Sequence, residues 1–231
     1  MTGHALPTVA RLDALVDVVN DALFSGTRLS QARCAEWGDA LAERQGGSWA
    51  YADSFELTAD ERSRGVVLFT GERIQSASAR HILGQECCRA LLKMPHKTPR
   101  ARAALARASR GLAASVVATA DREGHPGRFC CAKCSVALWR HLAAGGFDAQ
   151  ERRLEDGIAF LSRCRDGSGR WQRFPFFYTV LALSEIDTEP ARNELRYVAP
   201  VLEAKLLRKP ASAATSQRRR AVMRRALESL G

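Results

Sequence analysis

Three tripeptides frame this chain: Ser63-Arg64-Gly65, Ser109-Arg110-Gly111 and Glu155-Asp156-Gly157 stand 46 residues apart. Each follows a charged stretch (ADERSRG, ARASRG, ERRLEDG) and precedes an apolar one (VVLF, LAASVV, IAFL). A polar or Gly-rich connector comes next, then a second apolar segment: HILGQECCRALL, FCCAKCSVALW or PFFYTVLALSEI. A period in the range of roughly 20–50 residues, with two helical segments per period, marks units that bury their apolar faces only against neighbours. The expected fold is therefore all-α, built of repeated helical hairpins with a period of 46. Weaker units near Val19 and Glu203 would extend it over almost the whole chain. A glycine costs about 1 kcal/mol against alanine inside a helix, so its recurrence points to close helix packing.

Other helices follow from spacing and end signals. Apolar residues at 9, 12, 15, 16, 19 and 23 form one face of a helix over Val9–Leu23. Leu29–Gln45 reads as a second helix, with Ser30 as N-cap and Gly46-Gly47 at its end. SWAYADSFEL reads as a loop, and TADERSRGVVLFTG as the opening of a third helix, with Thr58 and Glu61 in capping-box spacing. Phe129–Leu142 reads as one amphipathic helix. Residues 1–209 form the expected repeat domain, and residues 210–231 a linker and a basic terminal helix.

The third unit, GIAFLSRCRDGSGRWQRFPFFYTVLALSEI, resembles the helical-hairpin repeat of the prenyltransferase and squalene-cyclase superfamily. Arg152 or Arg153, Gly157, Leu161, Asp166, Gly167, Gly169, Trp171, Tyr178, Thr179 and Leu183 stand at about the matching places, clearest over residues 152–186. The resemblance implies an α/α toroid whose second helices line a central cavity. That superfamily usually closes its ring with six hairpins, so five or fewer imply an open or incomplete ring, or one completed by a partner chain. Its catalytic signatures (D-x-D-D, D-D-x-x-D, the D-x-C with a later zinc-binding His, the Cys-His dipeptide) are absent from the sequence. The activities do not carry over with the fold.

Charge and cysteine content narrow the classes of partner. Residues 1–92 carry 9 basic and 12 acidic side chains, whereas residues 93–231 carry 26 and 13. The basic C-terminal half suits an anionic partner or a solvated basic face. Thirty of the 35 basic residues are Arg, which leaves codon usage as a further source. Seven cysteines, an odd number, without the other marks of a small secreted domain, suit a reducing compartment. No apolar run approaches the roughly 20 residues of a membrane span. The opening MTGHALPTVARLDALVD lacks the basic and apolar regions of a signal peptide. A cytoplasmic protein is expected.

Four groups of residues are candidates for chemistry. Cys131 and Cys134 share a helix face and form half of a zinc site, whereas His141 lies about 10 Å farther along the helix. The 46-residue period makes Cys88 equivalent to Cys134, so Cys87 and Cys88 are the expected partners of Cys131 and Cys134. The alternatives are a reactive thiol pair or plain buried thiols. The turn DGSGRWQRFPF offers an anion clamp of Arg165, Arg170 and Arg173, with Trp171, Phe174, Phe176, Phe177 and Tyr178 as aromatic surface; alternatively it packs one unit on the next. His81 and Glu86 are acid–base candidates, and His81 lies on a different face from Cys87, so any Cys–His pair must form across helices. QRRRAVMRR and KTPRARAALARASR offer phosphate contacts without any motif for specific readout.

Two functional readings come first. One is a toroid-like domain binding an apolar small molecule or peptide in a cavity lined by Cys87, Cys88, Cys131, Cys134, Phe177 and Tyr178, with Cys134, Cys88 and His81 as candidate reactive groups. The other is a helical-repeat module whose basic half binds nucleic acid or an acidic protein. A structural protein without chemistry of its own is the third.

Overall fold

The computed structural model describes residues 11–125, 127–209 and 212–231. Residues 9 and 10 of the expected first helix, and two residues of the expected linker, lie outside these. Ten helices account for most of the described chain: α1 (Leu12–Phe24), α2 (Gln31–Ala42), α3 (Ala59–Arg64), α4 (Ser78–Lys93), α5 (Pro99–Glu123), α6 (Ala132–Ala143), α7 (Gln150–Arg163), α8 (Phe176–Leu183), α9 (Glu189–Leu206) and α10 (Ala214–Glu228). The fold is all-α apart from a two-stranded antiparallel hairpin, β1 (Val66–Val67) with β2 (Arg73–Ile74). None of the described helices is long and apolar enough to cross a membrane.

Local side-chain chemistry sets four of the ten described helix starts. The hydroxyls of Ser30, Thr98 and Thr188 each accept a first-turn N–H, and Pro99 follows Thr98 where a missing N–H costs nothing. Thr58 and Glu61 form a complete capping box on α3. The expected helix through GVVLF does not form. Gly65 ends α3 at φ +78°, where a Cβ would come 2.5 Å from the Ile74 carbonyl oxygen. The β-branched pair Val66-Val67 then enters the hairpin, its Val67 N–H donating 2.8 Å to the buried Asp13 carboxylate. Gly111 and Gly157 do lie inside helices and serve close packing. A Cβ on Gly111 would meet the Ala52 carbonyl at 2.0 Å, and one on Gly157 the Trp139 indole nitrogen at 2.2 Å.

Helices α1, α4, α6, α8 and α10 pack against one another in that order, while α5, α7 and α9 lie against α4, α6 and α8 respectively. His81 faces Cys134 and Glu86 faces Arg140, so α4 and α6 run parallel. Charged side chains meet between these helices. Arg140 donates to Glu86 at 2.5 Å and to Glu185 at 2.9 and 3.0 Å. Arg89 reaches Glu185 and Asn20, both at 2.6 Å, and the Tyr178 hydroxyl donates to Glu86. One ionic network thereby ties α1, α4, α6 and α8 together. The basic helix α10 is packed, with Val222, Met223 and Ala226 buried. Arg218 bridges to Asp17 at 2.7 Å and Asp21 at 3.2 Å on α1, and Arg225 donates to the Phe24 carbonyl.

Candidate metal centre

The segment Phe129–Leu142 is not one helix. Phe129 to Cys131 form a turn ahead of α6, with Cys130 in the left-handed region at φ +56° and Cys131 at the N-cap. A left-handed non-glycine residue costs roughly 1–2 kcal/mol, and such strain persists where surrounding contacts hold it. Ser135 supplies those contacts: its hydroxyl accepts from the Phe129 N–H at 3.1 Å and bonds the Cys131 carbonyl at 3.0 Å. Phe129 itself is anchored in the core.

The turn brings Cys130 and Cys134 to His81 of α4, with Cys131 against Cys134. The Sγ atoms of Cys131 and Cys134 are 3.6 Å apart, and Cys134 Sγ is 3.8 Å from His81 Nδ1. Ligand atoms of His81, Cys130 and Cys134 lie within 4.8 Å of one another. Aromatic packing fixes the imidazole, whose centroid is 4.0 Å from that of Tyr51 and 5.5 Å from that of Phe129. His81 Nε2 is buried without a hydrogen-bond partner among the described residues, so Nδ1 at the sulfur is the ring's polar contact.

Burial, and then the charge of Arg80, lower the His81 pKa to about 4, so the ring is neutral at pH 7 with a free lone pair. The thiol of Cys134, followed by the Lys133 and Cys134 amides at the open first turn of α6, brings Cys131 down to about 5 despite partial burial. Cys134 moves the opposite way, pushed up by its pairing with Cys131 and by burial.

This group sits at one side of a cleft of about 520 Å³. Cys130, Cys131 and Cys164 line it together with Arg128, Lys133 and Arg173, and Phe160 and Phe174 add an apolar wall.

The pairing of Cys87 and Cys88 with Cys131 and Cys134 is not found. Both α4 thiols are fully buried, and Cys88 lies against the Ser109 hydroxyl of α5 at 4.0 Å. Burial raises both, Cys88 to about 12. The 46-residue equivalence misplaced them because α4 packs with His81 opposite Cys134. Cys88 is seven residues beyond His81, about 10 Å along the helix. Cys130 was missed in the sequence although its i, i+4 spacing from Cys134 is a same-face spacing in a helix; the structure brings it to the cluster through the left-handed turn instead.

The clamp residues also scatter. Arg165 pairs with Glu194 at 2.8 Å, Arg170 covers the Phe176 ring, and only Arg173 reaches the thiol-lined cleft. Trp171 is buried and donates to Glu194 at 2.7 Å. Tyr178 and Glu86 belong to the central ionic network, and Phe177 faces a separate groove beside α10. His141 is bonded to Gln85 at 2.5 Å, away from the cluster. Comparison with known protein families, curated proteins and solved structures returned no match for this chain.

Proposed function

We propose that this protein binds zinc through Cys130, Cys131, Cys134 and His81, and that the adjoining cleft receives a small molecule or peptide. The carrying observation is the spacing of the donor atoms. Four ligands in a tetrahedron, at about 2.3 Å for sulfur and 2.0 Å for nitrogen, stand about 3.5–3.8 Å from one another. The Cys131–Cys134 and Cys134–His81 separations are 3.6 and 3.8 Å, and the ligand atoms of His81, Cys130 and Cys134 lie within 4.8 Å of one another; Cys131 stands outside that trio and would turn in to complete the tetrahedron. The neutral imidazole and the strained Cys130 suit the same role. The ligand would place an acidic group among Arg128, Lys133 and Arg173 and an apolar part on Phe160 and Phe174.

The expected architecture belongs with this reading. Parallel α4 and α6, followed by α8, with α5, α7 and α9 outside them, support an open α/α toroid of the prenyltransferase type. In that arrangement the central ionic network occupies the place of the cavity, and the ligand cleft opens at the rim, by the start of α6.

A second reading rests on the half-buried Cys131 thiolate. With no metal bound, it would attack a disulfide substrate, form a mixed disulfide and release one thiolate. Cys134, giving up its proton, would then displace the second thiolate and close a Cys131–Cys134 disulfide.

Elemental analysis of the native protein separates the two. The zinc reading expects one zinc per chain, thiolate-to-metal absorption after cobalt replacement, and loss of metal in Cys130→Ser and His81→Ala. Metal-free native protein whose Cys131 reacts rapidly with a disulfide reagent would overturn it in favour of the dithiol.

A further inference from the structure

A groove of about 350 Å³ between α9 and α10 gathers Lys205, Arg208, Lys209, Arg219 and Arg220, and no carboxylate lines it. None of these five cations forms an ion pair with a carboxylate among the described residues. Two of them are held by backbone acceptors. Arg219 Nε donates to the Thr70 carbonyl at 2.7 Å and its guanidinium lies 4.6 Å from the centroid of the Phe177 ring. Arg220 donates to the carbonyls of Leu206 at 2.8 Å and Arg208 at 3.1 Å, at the C-terminal end of α9. Lys205 is partly buried over Phe177, and burial together with Arg170, Arg208 and Arg219 lowers its pKa. Arg219 also acts electrostatically on Glu72, and that carboxylate already accepts from the Thr70 hydroxyl and the Tyr178 N–H.

The same groove receives the start of α10. Thr215 and Ser216 line it, and the helix has no side-chain cap. The Ser216 N–H already bonds the Ala213 carbonyl at 2.9 Å, and the positive end of the helix dipole adds to the five positive charges. Holding so many like charges together costs free energy in the empty protein, and a multiply charged anion relieves that cost.

We propose that this groove binds a small phosphorylated ligand carrying at least two phosphate groups. The charges converge on a concavity that takes a diphosphate rather than running along a face that tracks a nucleic-acid backbone. The arginines of α10 divide accordingly. Arg218 and Arg225 are turned to α1, bound to Asp17, Asp21 and the Phe24 carbonyl, while Arg219 and Arg220 enter the groove. Phe177 and Met223 supply an apolar floor for the remainder of the ligand. This groove shares no lining residue with the thiol-lined cleft, so the assignment stands apart from the zinc reading.

Isothermal titration of the full chain with inorganic pyrophosphate tests it, with sulfate and a single-stranded oligonucleotide as comparisons. The expected result is saturable one-to-one binding of pyrophosphate, at least about tenfold tighter than sulfate at matched ionic strength. Arg208→Ala and Lys209→Ala, both at exposed positions outside the core, should each weaken it about tenfold while leaving the thermal midpoint unchanged. Pyrophosphate binding no tighter than sulfate, or unaltered in the double variant, would overturn the proposal. So would an oligonucleotide that binds far more tightly than pyrophosphate and depends on the same two residues, which would make the groove part of a nucleic-acid interface.

Discussion

Arg140→Met is the sharpest probe of what holds the helices together. The side chain is 1% exposed and makes three charge-assisted bonds, one to Glu86 and two to Glu185. Methionine has nearly the volume to fill the site, so the loss is electrostatic rather than a cavity. Glu185 keeps Arg89, whereas Glu86 keeps only the neutral donors Tyr178 and Asn20. Leaving a buried charge without its partner costs about 3–5 kcal/mol. In a chain of this size each kcal/mol moves the thermal midpoint by about 2–4 °C, so a fall of roughly 6–20 °C is expected. Circular dichroism melting and urea unfolding measure it. Glu86→Gln combined with Arg140→Met should recover a large part, since no unpaired charge is then buried. If Arg140→Met alone stays within about 1 kcal/mol of wild type, the network contributes no more than a surface ion pair, and the reasoning fails. A double variant no better than the single one would equally refute the unpaired-charge account.

Gly157→Ala places a Cβ 2.2 Å from Trp139 Nε1, against an indole that is buried and bonded to the Gly127 carbonyl at 2.7 Å. Overpacking of this kind costs about 1–3 kcal/mol, and tryptophan fluorescence alongside urea unfolding should show both the loss and a displaced indole. Acid should also destabilise the fold through His141. Burial, with the charge of Arg89, brings its pKa down from 6.5 to about 3 in the folded protein. The folded state therefore binds fewer protons than the unfolded one between these values, so stability is whole above pH 6.5 and falls progressively toward pH 3. His141→Gln, which retains an amide partner for Gln85, should flatten that slope in unfolding free energies measured from pH 7 to pH 4. An unchanged slope would show that His141 is not buried in its neutral form.

Helix content and two of the helix starts were legible because they depend on local chemistry: the caps at Ser30 and Thr58 act over three residues, and the structure contains both. The break after Gly65 was less so, because VVLF suits a helix face or a short strand equally until Asp13, fifty-four positions away in sequence, captures the Val67 N–H. The candidate site depended on helix register, which no local signal encodes. Equivalence by period puts Cys88 beside Cys134, but α4, α6 and α8 begin at Ser78, Ala132 and Phe176, intervals that depart from 46 residues in both directions. The helices slide until Glu86 meets Arg140 and Gln85 meets His141, and that adjustment delivers His81 to the thiols. The same buried polar pairs thus align the helices and assemble the site. Where charged pairs lie between parallel helices, their matching is a better guide to facing residues than a sequence period, since a mismatched buried charge costs several kcal/mol and a slipped apolar contact far less.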